Sequence, residues 1–418
     1  MLYTFYGDDF TGSTDVLEQL ASNGVRTALF LAPPTPAQLA AFPDLQAIGI
    51  AGDSRSRSPE WMSANLPPIF AALRHFGAPV VHYKVCSTFD SSPTHGSIGR
   101  AIELGMEAFD PAFVPIVVGS PHLRRYVYEG RLFAAAPDGN IHRIDRHPMR
   151  NHPVTPMREP DLRRHLALQT SLAIGYIPHN AITAETVRSQ LARGNRVLLF
   201  DTTSAEDLAQ TGELLWQEAL RRPLFSASSS GLTAALITAW RTLLPPKPIA
   251  QPIAPATPLL VVSGSCSPVT ARQIRHALAH GFHGLELTPE TILSSATLAA
   301  ATRSLAAGRD TILYTALGPT AAPAHGETLG IALGQLIRQL LGRVPIRRVL
   351  LCGGDTSSHA IPQLGFTALT WLANLQPGAP LCQAHPLGLE LVGLELVLKG
   401  GQVGTEDFFQ LVRGHAKS

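Results

Sequence analysis

The sequence predicts an α/β protein: two three-layer α/β domains with mainly parallel sheets, joined by a proline-rich linker. Three observations carry this expectation. Short apolar runs alternate with helical patterns along the chain, six prolines crowd into residues 245–258, and turns of small residues follow several of the apolar runs. Strands alternating with helices imply parallel pairing through right-handed crossovers. A length of 418 residues suits two or three domains of about 150 residues each. Proline fixes φ and donates no backbone hydrogen bond, so the proline stretch is an extended spacer rather than helix interior or central strand. The predicted division is an N-terminal domain over 1–243, a linker over 244–258 and a C-terminal domain over 259–418.

In order along the chain, residues 2–6 read as the first strand. A helix follows with Val16, Leu17, Leu20 and Ala21 on one face and Gly24 placed to end it. Strands are expected at 25–31, 47–51, 80–85, 113–118, 172–177 and 197–200. Helical stretches at 60–74, 97–109, 161–170, 184–192 and 206–221 lie between them. Past the linker, 259–262, 311–314 and 348–351 are bare apolar runs suited to buried parallel strands. Helices at 269–280, 329–341 and 405–412 would cover them.

Composition narrows the function class. Hydrophobic residues make up 45% and charged residues 15%, against roughly 25% charged in an average domain, which excludes a disordered or fibrous chain. Lys plus Arg (33) against Asp plus Glu (31) gives a net charge of +2, so no strong field draws a nucleic acid to the molecule. The N-terminus has no basic region, and no apolar run approaches the roughly 18 residues of a membrane helix. Cys86, Cys266, Cys352 and Cys382 are far apart and form no CxxC pair. They read as reduced thiols and point to a cytoplasmic protein. The expected partner is a small molecule, with no nucleic acid and no membrane, and with homodimer formation left open.

In doubly wound sheets ligands sit beyond the carboxyl ends of strands. The first such segment is Tyr6-Gly7-Asp8-Asp9-Phe10-Thr11-Gly12-Ser13. Adjacent carboxylates there could bind sugar hydroxyls or a metal, or Asp9 or Thr11 could simply cap the helix. The second, Asp53-Ser54-Arg55-Ser56-Arg57, offers arginines on opposite faces of an extended backbone. One could clamp a carboxylate while the other is solvated, and a plain surface role for both stays open. In the third, His82 to Asp90, Lys84 lies inside an apolar strand and needs an anionic partner or a route to solvent. A fourth, His142 to Pro148 and on through Arg150, His152 and Arg158, could complete an acid site or form a solvated face.

Past the linker, Ser263-Gly264-Ser265-Cys266-Ser267-Pro268 runs strand, small-residue turn, helix. Ser267 suits an N-cap and Pro268 the first helical position, which makes a ready anion site. Cys352-Gly353-Gly354-Asp355-Thr356 repeats that plan, and Asp355 could orient a metal or take a proton. Lys399-Gly400-Gly401-Gln402 adds a third glycine loop beside a cation. None fits the P-loop or the GxGxxG pattern of dinucleotide enzymes, which weighs against a dehydrogenase. Three such loops in one domain point to a nucleotide.

These residues resemble the four-carbon acid sugar kinases, a family once known by a domain-of-unknown-function number. The markers, in order, are Asp8-Asp9-Phe10-Thr11-Gly12 against the family's DDxTG, Lys84 with Ser87-Thr88 against its KxDST, Ser263 to Ser267, Gly353 to Thr356, and Lys399 to Gly404 followed by Asp407-Phe408-Phe409. The resemblance covers nearly the whole chain. It implies an N-terminal domain for an acid sugar, a C-terminal domain for ATP and transfer across the cleft between them. By position, Ser265, Gly353, Gly354, Asp355, Thr356 and Gly401 would hold the nucleotide, and Asp8, Asp9, Arg55 and Lys84 would face the substrate. Asp355 would act as general base or metal organiser, with Mg²⁺ on the phosphates and its ligands unassigned. The implied acceptors are 3-oxo-tetronate, threonate or erythronate, with a branched acid such as 3-oxo-isoapionate, or a non-catalytic sensor, as alternatives. Where the family commonly reads KxDSTxRG, this chain has Cys86 for the acidic residue and Asp90 for the arginine. That swap touches the choice of acid, not the kinase reading.

Overall fold

The computed structural model describes residues 1–136, 139–151, 154–248, 253–318, 326–386 and 392–414. His152 and residues 249–252 of the proline stretch lie outside them. The chain sorts into two compact units, and their division is not a single cut. The first holds Met1–Asp8, Gln19–Thr27 and Leu39–Lys247, and the second Asp9–Glu18, Ala28–Gln38 and Pro248–Ser418.

Eleven of the strands precede the proline stretch. They are β1 (Tyr3–Gly7), β2 (Thr27–Phe30), β3 (Ala47–Ala51), β4 (Val80–Lys84), β5 (Val114–Val117), β6 (Arg125–Tyr128), β7 (Arg131–Ala135), β8 (Ile141–Arg143), β9 (Ile174–Ile177), β10 (Val197–Phe200) and β11 (Leu224–Ser228). After it come β12 (Leu259–Ser263), β13 (His283–Glu286), β14 (Thr311–Tyr314), β15 (Arg348–Cys352), β16 (Phe366–Gln376), β17 (Ala379–Pro386) and β18 (Glu395–Lys399).

In the first unit β11, β4, β1 and β3 lie side by side, all parallel, with Tyr3 opposite both Ala47 and Val80 and Leu224 opposite Val80. Every residue of these four strands is buried, as expected of parallel strands with both faces covered. A second parallel sheet runs β5-β10-β9, and β6-β7-β8 form a small antiparallel sheet that the apolar pattern did not announce. Phe70, Phe109 and Phe225 cluster in the core with ring centroids 5.3–5.7 Å apart. Gly105 is small for a reason: a Cβ there would stand 2.0 Å from the Phe225 ring. Side-chain caps start the helices where the sequence places them. Ser97 accepts from the Arg100 N–H to open Ile98–Phe109, and Ser204 with Asp207 forms a capping box on Ala205–Arg221.

In the second unit β18, β15, β12, β14 and β13 are parallel neighbours, and β17, β16 and β2 extend that sheet antiparallel. The long pair β16–β17 was not foreseen in the sequence. Its pairing with β2, Ala368 opposite Phe30, ties residues 28–30 to this unit. At the opening of β15, fully buried Arg348 donates through Nε to Glu395 at 2.7 Å and through Nη1 and Nη2 to the carbonyls of Val412 and Ala254. A buried guanidinium is tolerable only with such complete partnering. Among the described residues no helix is long and apolar enough to cross a membrane. All four cysteines are free thiols.

Candidate functional site

The carboxyl ends of β3, β1 and β4 stop level, because Gly7 lies opposite both Ala51 and Lys84. Three of the predicted substrate residues meet there. The Asp8 N–H donates to the Lys84 carbonyl at 2.9 Å, and the Arg55 N–H donates to the Asp8 carbonyl at 3.0 Å. The Arg55 guanidinium grips Asp8 with two parallel bonds, Nε to Oδ2 at 3.1 Å and Nη2 to Oδ1 at 2.7 Å. Arg57 bonds Asp53 at 2.8 Å and stands over the Trp61 ring at 5.3 Å; residues Ser54–Ser56 form a 3-10 turn and not the extended backbone expected, so it is this turn that parts the two arginines. Lys84 is 3% exposed, and its ammonium meets no hydrogen-bond acceptor among the described residues. The Tyr6 and Tyr83 rings stack 5.7 Å apart, and Tyr83 shares a 2.8 Å bond with the Ser54 hydroxyl.

The loop after β4 carries the two departures from the family motif. The Thr88 hydroxyl lies 3.0 Å from Cys86 Sγ and donates to Asp90 Oδ1 at 2.5 Å, and Thr155 donates to Asp90 Oδ2 at 3.4 Å. Burial pushes the Cys86 thiol up and Asp90 adds to it, while Arg55 and Lys84 pull the other way. Cys86 is therefore a neutral thiol near pH 7. Along 142–147, Arg143 is bound to Asp145 at 2.6 and 2.8 Å and His147 bonds the Ala135 carbonyl. These groups serve local structure.

Asp9 is placed differently from Asp8. Its Oδ1 accepts the Gly12 N–H at 2.7 Å and its Oδ2 the Thr11 hydroxyl at 2.7 Å, capping the helix Phe10–Ser22. It belongs to the second unit, where a Cβ on Gly354 would stand 3.1 Å from its Oδ2. The Phe10 N–H donates to Ser358 at 3.3 Å in the same region.

In the second unit the strands β12, β15 and β18 are adjacent and end in register, Ser263 opposite Cys352 and Cys352 opposite Lys399. Their three small-residue loops consequently adjoin. A Cβ on Gly401 would come within 2.8 Å of Ser265 Oγ and 2.9 Å of Ser267 Cβ. One on Gly264 would come within 2.5 Å of Thr356 Oγ1. Gly353 has φ +114, a conformation L side chains rarely adopt. The Gly353 N–H donates to the Lys399 carbonyl at 2.9 Å. Ser267 accepts the Val269 N–H and caps the helix Pro268–Ala279, whose N-terminal, positive end of the dipole lies at this junction. Asp355 stands exposed in the first turn after Gly354.

Two residues here escaped sequence reasoning. Thr270 donates to the Gly401 carbonyl at 2.9 Å, and Lys399 donates to Thr270 at 2.9 Å. Gln273 bonds the carbonyls of Val403 and Thr405. Lys399 is fully buried, and burial holds its amine below the usual lysine range. It braces the third loop from inside. The signal available beforehand was the i, i+3 spacing of Thr270 and Gln273, which places both on one face of the helix.

Comparison with known proteins matches both units. The family model described as a sugar-binding N-terminal domain covers residues 3–236, and that described as a nucleotide-binding C-terminal domain covers residues 260–409. A Paraburkholderia graminis protein named 3-oxo-isoapionate kinase is 45% identical, over 99% of this chain and 94% of its own. A Cupriavidus necator 3-oxo-tetronate kinase is 30% identical over 96% and 94% of the two chains. A solved structure from Salmonella typhimurium LT2, 28% identical, superposes with a TM-score of 0.76 over 98% of each chain.

Proposed function

The chain belongs to the four-carbon acid sugar kinase family, and we propose that it transfers the γ-phosphoryl group of ATP to a terminal hydroxyl of a branched acid sugar of the 3-oxo-isoapionate kind. The observation that carries the kinase chemistry is the junction of the three loops after β12, β15 and β18. Their small residues leave the backbone bare where a Cβ at Gly264 or Gly401 would collide, which suits the close approach of a polyphosphate. Ser265, Gly353, Gly354, Thr356 and Gly401 form this cradle.

Phosphoryl transfer asks for positioning and charge neutralisation rather than covalent protein chemistry. The acceptor hydroxyl gives up its proton as its oxygen bonds the γ-phosphorus, and the bond to the β–γ bridging oxygen breaks to leave ADP. Asp355 is the carboxylate at the cradle that could accept that proton. It also fits Mg²⁺, which commonly takes one or two carboxylates plus phosphate oxygens and water, and which when bound would neutralise phosphate charge. In the N-terminal domain Lys84 supplies charge for the substrate acid, while the Asp8–Arg55 pair presents a rigid polar edge to its hydroxyls. Four free thiols fit a cytoplasmic reaction.

The branched acceptor is favoured by the 45% identical relative and by Cys86 and Asp90 in the substrate loop. The 30% identical relative supports a second reading, 3-oxo-tetronate. Measuring ADP release with 3-oxo-isoapionate, 3-oxo-tetronate, D-threonate and D-erythronate decides between them, the highest kcat/KM being expected for the first. If no acid stimulates ADP release while ATP still raises the melting temperature, the protein is a sensor. Asp355→Asn is expected to lower kcat by about a hundredfold or more with the ATP-induced melting shift retained. Near-normal turnover removes Asp355 from the catalytic role.

A further inference from the structure

We propose that Arg125 is a specificity-determining residue of the substrate site, a second cation that with Lys84 reads the carboxylate of the sugar acid. The proposal rests on the sugar-acid kinase reading above. Arg125 opens β6, on the small antiparallel sheet of the first unit, and its position is fixed by a short chain of contacts. Its backbone exchanges hydrogen bonds with Ser120, at 2.9 and 3.1 Å. The Ser120 hydroxyl lies 3.0 Å from that of Ser229. Ser229 follows Ser228, which is opposite Lys84 in the β11–β4 register and accepts the Val85 N–H at 2.8 Å. Arg125 is thus anchored beside the strand end that carries Lys84.

Its side chain is incompletely satisfied. Nη1 donates to the carbonyls of Leu123, Arg124 and Ala135, at 3.1, 3.4 and 3.1 Å. Nε is buried with no hydrogen-bond partner, and among the described residues no carboxylate pairs with the guanidinium. Contrast Arg348, whose burial is matched by Glu395 and two carbonyls. A guanidinium withdrawn from water without an anion is costly, and an anionic ligand removes that cost. The Cys86 thiol lies in the field of Arg125, and it is the same thiol that Lys84 and Arg55 act on. These groups therefore face one region. Arg55 is already neutralised there, with both Nε and Nη2 on Asp8. Lys84 and Arg125 remain to meet a carboxylate, and Arg125 adds the directional donors that an ammonium lacks.

The test uses the full chain with ATP and two acceptors, 3-oxo-isoapionate and its carboxamide, in wild type, Arg125→Gln and Arg125→Lys. In Arg125→Gln the KM for the acid is expected to rise about tenfold to a hundredfold, the range of a charge-assisted hydrogen bond. The KM for the carboxamide and the ATP-induced melting shift should stay within twofold, and Arg125→Lys should recover part of the acid KM. An acid KM within twofold of wild type overturns the proposal, as does an equal rise for acid and carboxamide, which marks a structural role. If Arg125→Gln does not fold, the acid-to-carboxamide ratio of Arg125→Lys decides: a reduced ratio supports the assignment and an unchanged one overturns it. If wild type releases no ADP with any acid, the kinase reading fails separately. Arg125 is then read from the melting shift that 3-oxo-isoapionate induces. A shift present in wild type and lost in Arg125→Gln upholds it, and equal or absent shifts in both proteins overturn it.

Discussion

Beyond β1, β3 and β4 the chain presents Asp8, Arg55 and Lys84, whereas beyond β12, β15 and β18 it presents Ser265, Gly353 and Gly401. Both places are level ends of adjacent parallel strands, and both feed short turns into helices. Their chemistry differs because their proposed guests differ. A sugar acid concentrates its charge on one carboxylate, so side-chain cations with fixed geometry suit it. A triphosphate spreads its charge along a chain of oxygens, and successive backbone N–H groups follow it best where side chains are absent. One topology therefore serves either ligand, according to whether the residues after the strands carry charge or carry almost no side chain.

The largest effect should come from the charged end. Lys84→Met is expected to lower kcat/KM for the acid by about a hundredfold to a thousandfold, since it removes a buried charge from its proposed partner. The ATP-induced melting shift should not change. Loss of that shift as well would break the contrast between the two ends.

Next in size is a group that belongs to neither ligand. Glu18, in the helix Phe10–Ser22, accepts the Gly378 N–H at 2.8 Å, and burial pushes its carboxyl from 4.5 up to about 8, with Asp15 adding to the rise. The folded state thus holds a proton that the unfolded chain gives up near its ordinary value. The stability this confers is full below about pH 4.5, declines as pH rises through that window and is gone above about 8. Glu18→Gln should flatten the pH dependence of stability by up to about 5 kcal/mol across it, read by denaturant melts. An unchanged slope would exclude Glu18 as its source.

A tenfold effect, about, is expected of Gly401→Ala, because the added carbon meets Ser265 Oγ and Ser267 Cβ. It should raise the KM for ATP by that factor while leaving the KM for the acid within twofold. A rise in acid KM alone would invert the assignment. The smallest change belongs to Asp9. Asp9→Ala should cost about 1 kcal/mol through loss of the cap, and Asp9→Asn, which keeps an acceptor, only a few tenths. If Asp9→Asn also weakens the acid, Asp9 reads substrate in addition to capping.

Much of the first unit was legible beforehand. The strand Ala47–Ala51 and the helix Ile98–Phe109 fall within a residue of their expected bounds. Apolar runs and caps are local signals. The long pair β16–β17 was missed, because its half-buried stretches lack a clean alternation and its register shifts at several points. The site divides in the same way. Asp8, Arg55 and Lys84 could be marked as candidates from residue type and from the ends of predicted strands. Arg125 could not, since it lies in an unforeseen hairpin and its meaning depends on an unpaired Nε and on Ser120 and Ser229.

By itself, the sequence determined many of the buried parallel strands and the helices between them, which turns are made of small residues, and through the five ordered markers which family the chain joins. All of these are written in neighbouring residues, where backbone sterics and apolar periodicity act. The tertiary structure alone decided that Asp9 caps a helix while Asp8 binds Arg55, that three distant loops share one junction, and which cations are already neutralised. Those outcomes depend on strand register and burial between residues tens to hundreds of positions apart, and the cost of an unpaired buried charge exists only once the fold has excluded water.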